Sequence, residues 1–359
     1  MNGRGRVGTP GARSGAGGPG AGSGRGGRPT LEEVAARAGV GRGTVSRVIN
    51  GSAKVSEATR AAVEAAVAEL GYVPNRAARA LAAHRTDAIA LVVPEPESRF
   101  FAEPYFSDVL RGVGAALAET EMQLLLTFAG NERERTRLAQ YLAADRVDGV
   151  LLVSVHADDP LPDLLDELNI PAVVSGRRSA DEPLASVDSD NFAGATAAVR
   201  HLVDRGRRTI ATITGRLDVY GARRRLDGYR ASLEAAGLPA DALLVAEGDF
   251  TEEGGRRAMA ELLERRPGLD AVFAASDVMA AGARQALRAA GRRIPDDVAL
   301  VGFDDSVVAR HMDPALTSVR QPIEEMGRTM ARVLLEQIAG SGERPRIVLP
   351  TELVVRDSA

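Results

Sequence analysis

The stretch that decides the fold runs from Thr30 to Asn50, TLEEVAARAGVGRGTVSRVIN. Thr30 and Glu33 make a T-x-x-E pattern, in which each side chain satisfies an orphan backbone donor in the first turn of a helix. Two short helices follow, broken at Ala38-Gly39-Val40, where Gly39 suits a left-handed turn that a Cβ would disfavour. Val34 and Ala35 are small enough for a second helix to cross closely. That second helix turns Val45 and Val48 inward and Thr44, Ser46 and Arg47 outward. Arg42 opens it, at the place where a recognition helix meets base edges. An ordinary helical hairpin shares this spacing, so the choice rests on what comes next.

Next is KVSEATRAAVEAAVAELGYVPNRAARALAAHRT, Lys54 to Thr86. Ser56 is a good N-cap, and Glu57 favours the positive end of the helix that it begins. Val63, Ala66, Val67 and Leu70 recur at helical spacing and would cover the first two helices. Gly71 stops this helix. Pro74 then opens a segment, Asn75 to Leu81, too short to be a stable helix in water. With Arg76, Arg79 and Leu81 it reads as a segment that orders on a partner. The block V-S-R-V-I-N followed by G-Y-V-P-N-R-A-A-R-x-L makes the stretch from Thr30 to Thr86 resemble the DNA-binding head and hinge of the LacI/GalR family of bacterial repressors.

The resemblance implies roles. Arg42, Gly43 and Arg47 would face base edges in the major groove, where a bidentate arginine–guanine pair gives about 1–3 kcal/mol of discrimination. Thr44, Ser46, Asn50 and Ser56 would hold phosphates and register, with Thr30 and Asn75 completing the DNA-facing set. Ala78 and Leu81 match hinge positions that enter the minor groove, Leu81 as the wedge that bends the DNA. A plain core leucine is the alternative for Leu81. Gly41 and Gly43 replace side chains that many family members carry, which shifts specificity onto Arg42 and Arg47. The implied partner is a near-palindromic double-stranded operator read by a homodimer.

Charge follows the same division. Residues 1–85 hold thirteen Lys or Arg against five Asp or Glu, a net of +8, in a chain whose formal charge is −4; the rest therefore carries −12. A basic head on an acidic body suits a nucleic-acid binder with a soluble sensor. Residues 1–28 hold twelve glycines and five arginines and little that could pack, so they are expected to be a disordered tail. No apolar run resembles an export signal or a membrane span, and cysteine is absent. The expected location is the cytoplasm, on the nucleoid, with no membrane contact and no cofactor.

From Asp87 onward, short apolar runs alternate with amphipathic stretches. The runs are at 88–93, 122–128, 148–154, 171–175, 208–215, 241–249, 270–276 and 297–303. Such β-branched runs, apolar on both faces, belong in parallel sheets covered by helices. Helical stretches lie near 107–119, 131–144, 191–205, 222–236, 252–265 and 278–290. This length exceeds one comfortable core, so two lobes are expected. The family resemblance extends over this region, through Val187–Asn191, Arg225–Tyr229, Ser276–Ala280, Val301–Asp305 and Thr317–Pro322. It implies an α/β effector-binding core of two doubly wound lobes, as in periplasmic binding proteins, behind an N-terminal all-α helix-turn-helix domain. The expected boundaries are 29–73 for the helix-turn-helix and 74–86 for the hinge. The first lobe is expected at 87–189 and 318–343, the second at 190–317 and 344–357, with crossings near Ser189, Thr317 and Arg344.

A ligand is expected at the carboxyl ends of the strands, between the lobes. By the resemblance, Arg225 is the effector-binding arginine, a fork able to grip two oxygens. Phe250 is an aromatic lying flat on the ligand, and Asp304 accepts bonds from hydroxyls. Phe106, Gly176, Arg177 and Ser276 are further effector positions. Phe100, Phe101, Tyr105 and Phe106 cluster in a chain with only 4% aromatic residues, and a core role is the alternative for Phe106 and for Phe250. An ion pair within the core is the alternative for Arg225. An aromatic face with charged forks suits a sugar. The blocks at 39–51, 72–81 and 100–113 are similar to those of actinobacterial repressors responsive to cellobiose or cello-oligosaccharides. Another disaccharide, a purine or nucleoside effector, and a sugar-binding protein without a regulatory role remain alternatives. An enzyme is not expected. His84, His156, His201 and His311 are scattered without metal spacing, no G-x-S-x-G or P-loop occurs, and adjacent Asp304 and Asp305 should point apart. The resemblance implies that sugar binding lowers operator affinity; a corepressor would reverse that sign.

Overall fold

The computed structural model describes residues 29–49, 54–72, 85–179 and 181–359. The expectations for the tail 1–28, for Asn50, and for Asn75, Ala78 and Leu81 of the hinge lie outside these residues. The chain divides into two compact units, with the boundary after Arg79.

The first unit contains α1 (Leu31–Ala38), α2 (Arg42–Ile49) and α3 (Glu57–Leu70). Thr30 Oγ1 accepts from the Glu33 amide at 3.3 Å, and the Thr30 amide donates to Glu33 Oε2 at 2.8 Å. Gly39 ends α1 at φ 67° and Gly71 ends α3 at φ 62°, both left-handed caps that favour glycine. Val34, Val45, Val48, Val63, Ala66 and Tyr72 form the small core. Of the inward positions read from the sequence, Val34, Ala35, Val45, Val48, Val63 and Ala66 are buried, while Val67 and Leu70 are only partly covered.

The second unit is built on two six-stranded sheets. The first lobe begins with β1 (Ala88–Val93), α4 (Glu97–Ala102), α5 (Pro104–Leu117), β2 (Gln123–Phe128), α6 (Glu132–Leu142), β3 (Gly149–Leu152), α7 (Leu161–Glu167), β4 (Ala172–Ser175) and β5 (Ala185–Ser189). The second continues with α8 (Asn191–Asp204), β6 (Ile210–Thr214), α9 (Tyr220–Ala235), β7 (Val245–Glu247), α10 (Glu252–Arg265), β8 (Ala271–Ala274), α11 (Asp277–Ala289), β9 (Ala299–Asp304), α12 (Val307–His311) and β10 (Thr317–Arg320). The chain then returns to the first lobe with α13 (Ile323–Ile338) and β11 (Arg346–Leu349), and ends its last strand, β12 (Glu352–Val354), in the second. The sheet orders are β11-β5-β4-β3-β1-β2 and β12-β10-β9-β8-β6-β7. Every pairing is parallel except β10 with β12. The central strands are buried along their length because helices cover both faces.

Two expected crossings move. β10 pairs with β9 from Thr317↔Val301 to Arg320↔Asp304, so Ser318–Arg320 belong to the second lobe rather than the first. The crossing falls at Gln321-Pro322, where the strand ends and α13 begins. Residues 344–349 belong to the first lobe, because Arg346–Leu349 pairs with β5. The last crossing is therefore at Pro350-Thr351, not Arg344. In both cases non-local pairing overrides what a local pattern shows.

Helices cross most closely at glycines. A Cβ on Gly112 of α5 would lie 1.9 Å from the Glu324 carbonyl oxygen of α13, and one on Gly327 would lie 2.3 Å from that of Val109. The second lobe repeats the device. A Cβ on Gly255 of α10 would lie 2.2 Å from the Met279 carbonyl oxygen, and one on Gly282 of α11 would lie 1.8 Å from that of Glu252.

Candidate functional site

A cleft opens between the two lobes, lined by residues of both. It lies at the carboxyl ends of the parallel strands, since Ser175 ends β4, Asp188 sits near the end of β5 and Asp304 ends β9. Ligands of doubly wound sheets bind at such ends.

Arg225 enters from α9 and is 8% exposed. Its Nε donates to Asn191 Oδ1 at 2.8 Å and its Nη1 donates to the Ala275 carbonyl. Asp304 Oδ1 is 3.9 Å from Nη1, and the guanidinium carbon stands 3.8 Å over the Phe303 ring centroid. Burial lowers the guanidinium from its usual value, and the charges of Asp304 and Asp188 oppose this. Burial in turn pushes Asp304 and Asp188 each up to about 6, with Arg225 holding both back. Asp304 also accepts from Gln321 Nε2 at 2.6 Å. The ion pair that was the rival reading for Arg225 is thus present in loose form, but at the cavity wall.

Phe250 lies against Gly215, where a Cβ would come within 2.0 Å of its ring. Only glycine lets the ring seat there. Arg99, from the first lobe, stands 5.3 Å from the ring centroid. Phe250 (φ 65°) and Asp304 (φ 115°) both hold backbone angles that side chains rarely adopt. Such strain persists only where the surroundings enforce it.

The structure brings Phe106, Gly176, Arg225, Phe250, Ser276 and Asp304 to this one cavity. Phe106 is also core, 2% exposed and packed on Phe100 and Tyr105. Ser276 caps α11, its hydroxyl accepting from the Met279 amide at 3.2 Å. Arg177 is the exception. It does not line the cavity but turns to Tyr220, donating to its hydroxyl at 3.1 Å with the guanidinium carbon 5.0 Å from the ring centroid. The ring and hydroxyl together offer it a better partner than open solvent. Asp305 points away from Asp304, toward Arg320 and Arg356.

Sequence reading missed Arg99, Glu103, Asp188 and Asn191 as cavity residues. The last two sit in the Val187–Asn191 mark and were open to inference. Glu103 lies in the block at 100–113, three residues before Phe106, and could have been found there. Burial pushes it up to about 7, offset by Arg99, whose Nε donates to it at 2.6 Å.

On the first unit, Arg42, Gly43 and Arg47 are exposed, while Thr44 and Ser46 are half-buried. Arg42 Nη1 lies 3.0 Å from Glu32 Oε1. An exposed pair of this kind is worth about 0–1 kcal/mol, so it can be given up cheaply to another anion.

Comparison with known proteins adds the family. Residues 30–75 match bacterial regulatory proteins of the lacI family, and residues 199–359 match the periplasmic binding protein-like domain. The HTH-type transcriptional regulator CelR of Thermobifida fusca is 54% identical over 334 residues, covering 92% of this chain and 98% of the relative. A solved complex of the transcriptional regulator CelR with cellobiose is similar at TM-score 0.75 and 53% identity, covering 92% of this chain and all of that one. The lac repressor dimer bound to operator and the anti-inducer ONPF is similar at TM-score 0.81 and 29% identity, covering 92% and 98%. With a lacI-type helical head, two doubly wound lobes and relatives that match over nearly its whole length, the chain belongs to the LacI family of bacterial transcriptional regulators.

Proposed function

We propose that this regulator is a homodimeric repressor of sugar-uptake or glycoside hydrolase genes, released from its operator by cellobiose or another cello-oligosaccharide. The observation that carries the reading is the cleft itself. Phe250 offers a flat face seated on Gly215, and Arg225 and Asp304 offer paired donors and acceptors beside it. That combination suits the apolar face and hydroxyl edge of a pyranose. Similarity to CelR, solved with cellobiose, supports a cello-oligosaccharide as that sugar.

Phe106, Gly176, Arg225, Phe250, Ser276 and Asp304 form the effector set, and Arg177 acts from the rim. Thr30, Arg42, Gly43, Thr44, Ser46, Arg47, Asn50 and Ser56, with Asn75, Ala78 and Leu81 of the hinge, form the DNA-binding set. The protein works by binding, without catalysis, in the cytoplasm on the nucleoid; no helix among the described residues is long and apolar enough to cross a membrane. Sugar binding changes the relation of the lobes and lowers operator affinity by roughly 1–3 kcal/mol or more.

The test is binding of the full chain to DNA upstream of its own gene at fixed salt, with and without cellobiose, cellotriose, maltose, xylobiose and adenine. Loss of binding with cellobiose or cellotriose alone supports the reading. Tight binding unaffected by any of them removes the effector assignment. Binding that appears only with a ligand reverses the switch.

A further inference from the structure

His156 follows β3 in the first lobe and lies between two carboxylates from different lobes. Its Nε2 is 2.8 Å from Glu95 Oε1 of the first lobe, and its Nδ1 is 3.1 Å from Asp218 Oδ2 of the second. The two backbones are joined at the same point. The Ala157 amide donates to the Asp218 carbonyl at 2.8 Å, and His156 and Val219 form an antiparallel bridge. Alongside, Arg177 reaches Tyr220, and Arg223 Nη2 donates to the Arg178 carbonyl at 2.9 Å. Every second-lobe partner here falls within residues 218–223. That same segment gives Val219, Gly221 and Ala222 to the cavity wall and leads directly into Arg225.

A neutral imidazole has one N–H and one lone pair, so it cannot donate to both carboxylates; only the imidazolium can. We infer that His156 is a positioning residue for the effector: as an imidazolium bonded at both nitrogens, it ties segment 218–222 to the first lobe and so fixes one wall of the cavity. The inference rests on the reading of the cleft as the effector site.

The charges around His156 are consistent with this role. Glu95 is buried and also accepts from Ser154 Oγ at 2.8 Å and Arg99 Nη1 at 2.9 Å. Arg216 pairs with Asp218 through Nε at 3.2 Å, and buried Asp159 lies nearby. The bond to Glu95 raises the imidazole above its ordinary value, against burial and the charge of Arg216. A raised imidazole keeps its second proton at low to neutral pH and loses it as pH rises through the raised value, so the clasp weakens in alkali.

The chain has no cysteine, which allows a clean pair of spin labels at Glu119→Cys and Glu264→Cys, one exposed position in each lobe. The distance distribution in ligand-free full-length protein should be narrow at about pH 6 and broader at about pH 9. With His156→Gln, which retains fold by circular dichroism, it should be broad at both. Calorimetric titration with cellobiose should show Kd rising roughly tenfold over this range in the parent protein; His156→Gln should bind more weakly and lose the rise at the alkaline end, keeping only the share of Asp188, Asp304 and Glu103 at the acid end. A narrow, pH-independent distribution in His156→Gln, or identical cellobiose profiles in the two proteins, overturns the clasp. If the distance responds as stated but cellobiose binds at no pH, the tie between lobes stands and the effector reading falls.

Discussion

Arg225 is the residue on which most of the cleft depends. It stands near two carboxylates, Asp304 and Asp188, that burial already pushes up to about 6. Arg225→Ala should remove the effector response and push both carboxylates higher still. The sign of the stability effect follows. A carboxyl raised above its unfolded value binds its proton more tightly in the native state, so stability falls as pH rises between those two values. The parent protein should feel this between about pH 4 and about pH 6, and the variant should feel it further upward. Its melting temperature should therefore lag the parent's more at neutral pH than in acid, which a thermal scan at several pH values would show. An unchanged lag would mean that Arg225 does not control these groups. Phe250→Ala should act differently, weakening cellobiose binding while leaving operator affinity in the absence of sugar unaltered, as paired calorimetry and DNA-binding titrations would report. Both residues were readable from the sequence, Arg225 because it opens a family mark and Phe250 because it is an aromatic just after Gly248-Asp249 that matches a family position. Arg99 and the clasp residue His156 were not readable, because nothing local relates Arg99 to the cavity or His156 to Asp218 of the other lobe; the fold brings these distant parts of the chain together.

Helix contacts supply a sharper contrast. Gly112 and Gly114 lie on the same helix, but a Cβ at the first would strike the Glu324 carbonyl, while the second has nothing within 4 Å. Gly112→Ala should destabilise the core by about 1–3 kcal/mol through overpacking. Gly114→Ala should stabilise it by about 0.5–1 kcal/mol, since alanine costs less backbone entropy in a helix. Urea denaturation of the two variants reads both signs, and equal effects would refute the packing account. Elements with long apolar runs were visible before folding was considered: seven of the eight runs contain a strand, and the strand in the eighth extends one residue beyond it, to Asp304. The short strands Ala185–Ser189, Thr317–Arg320, Arg346–Leu349 and Glu352–Val354 were not marked as such. Each is short or carries polar residues, and its sheet is decided by partners far away in sequence. The displaced crossings are a consequence of the same non-local choice.

For the molecule as a whole, the net charge of +8 on residues 1–85 against −12 on the remainder sets an expectation about salt. Operator affinity should fall steeply as salt rises, with a log–log slope more negative than about −4 if at least about five phosphates are neutralised. A shallow slope would count against the charged head as the main source of affinity. Ligand linkage gives a second measure. Cellobiose at about a hundred times its Kd should stabilise the lobes by about 2.7 kcal/mol, seen as a calorimetric shift. The architecture also bears on how the chain is made. Neither sheet is a contiguous stretch of sequence: the first closes with Arg346–Leu349 and the second with Glu352–Val354. A ribosome adding about 5–20 residues per second delivers the three-helix head first and needs roughly 15–60 s more to reach those strands. The nascent chain thus carries its DNA reader well before its sugar reader can close, and both sheets then receive their final strands almost together.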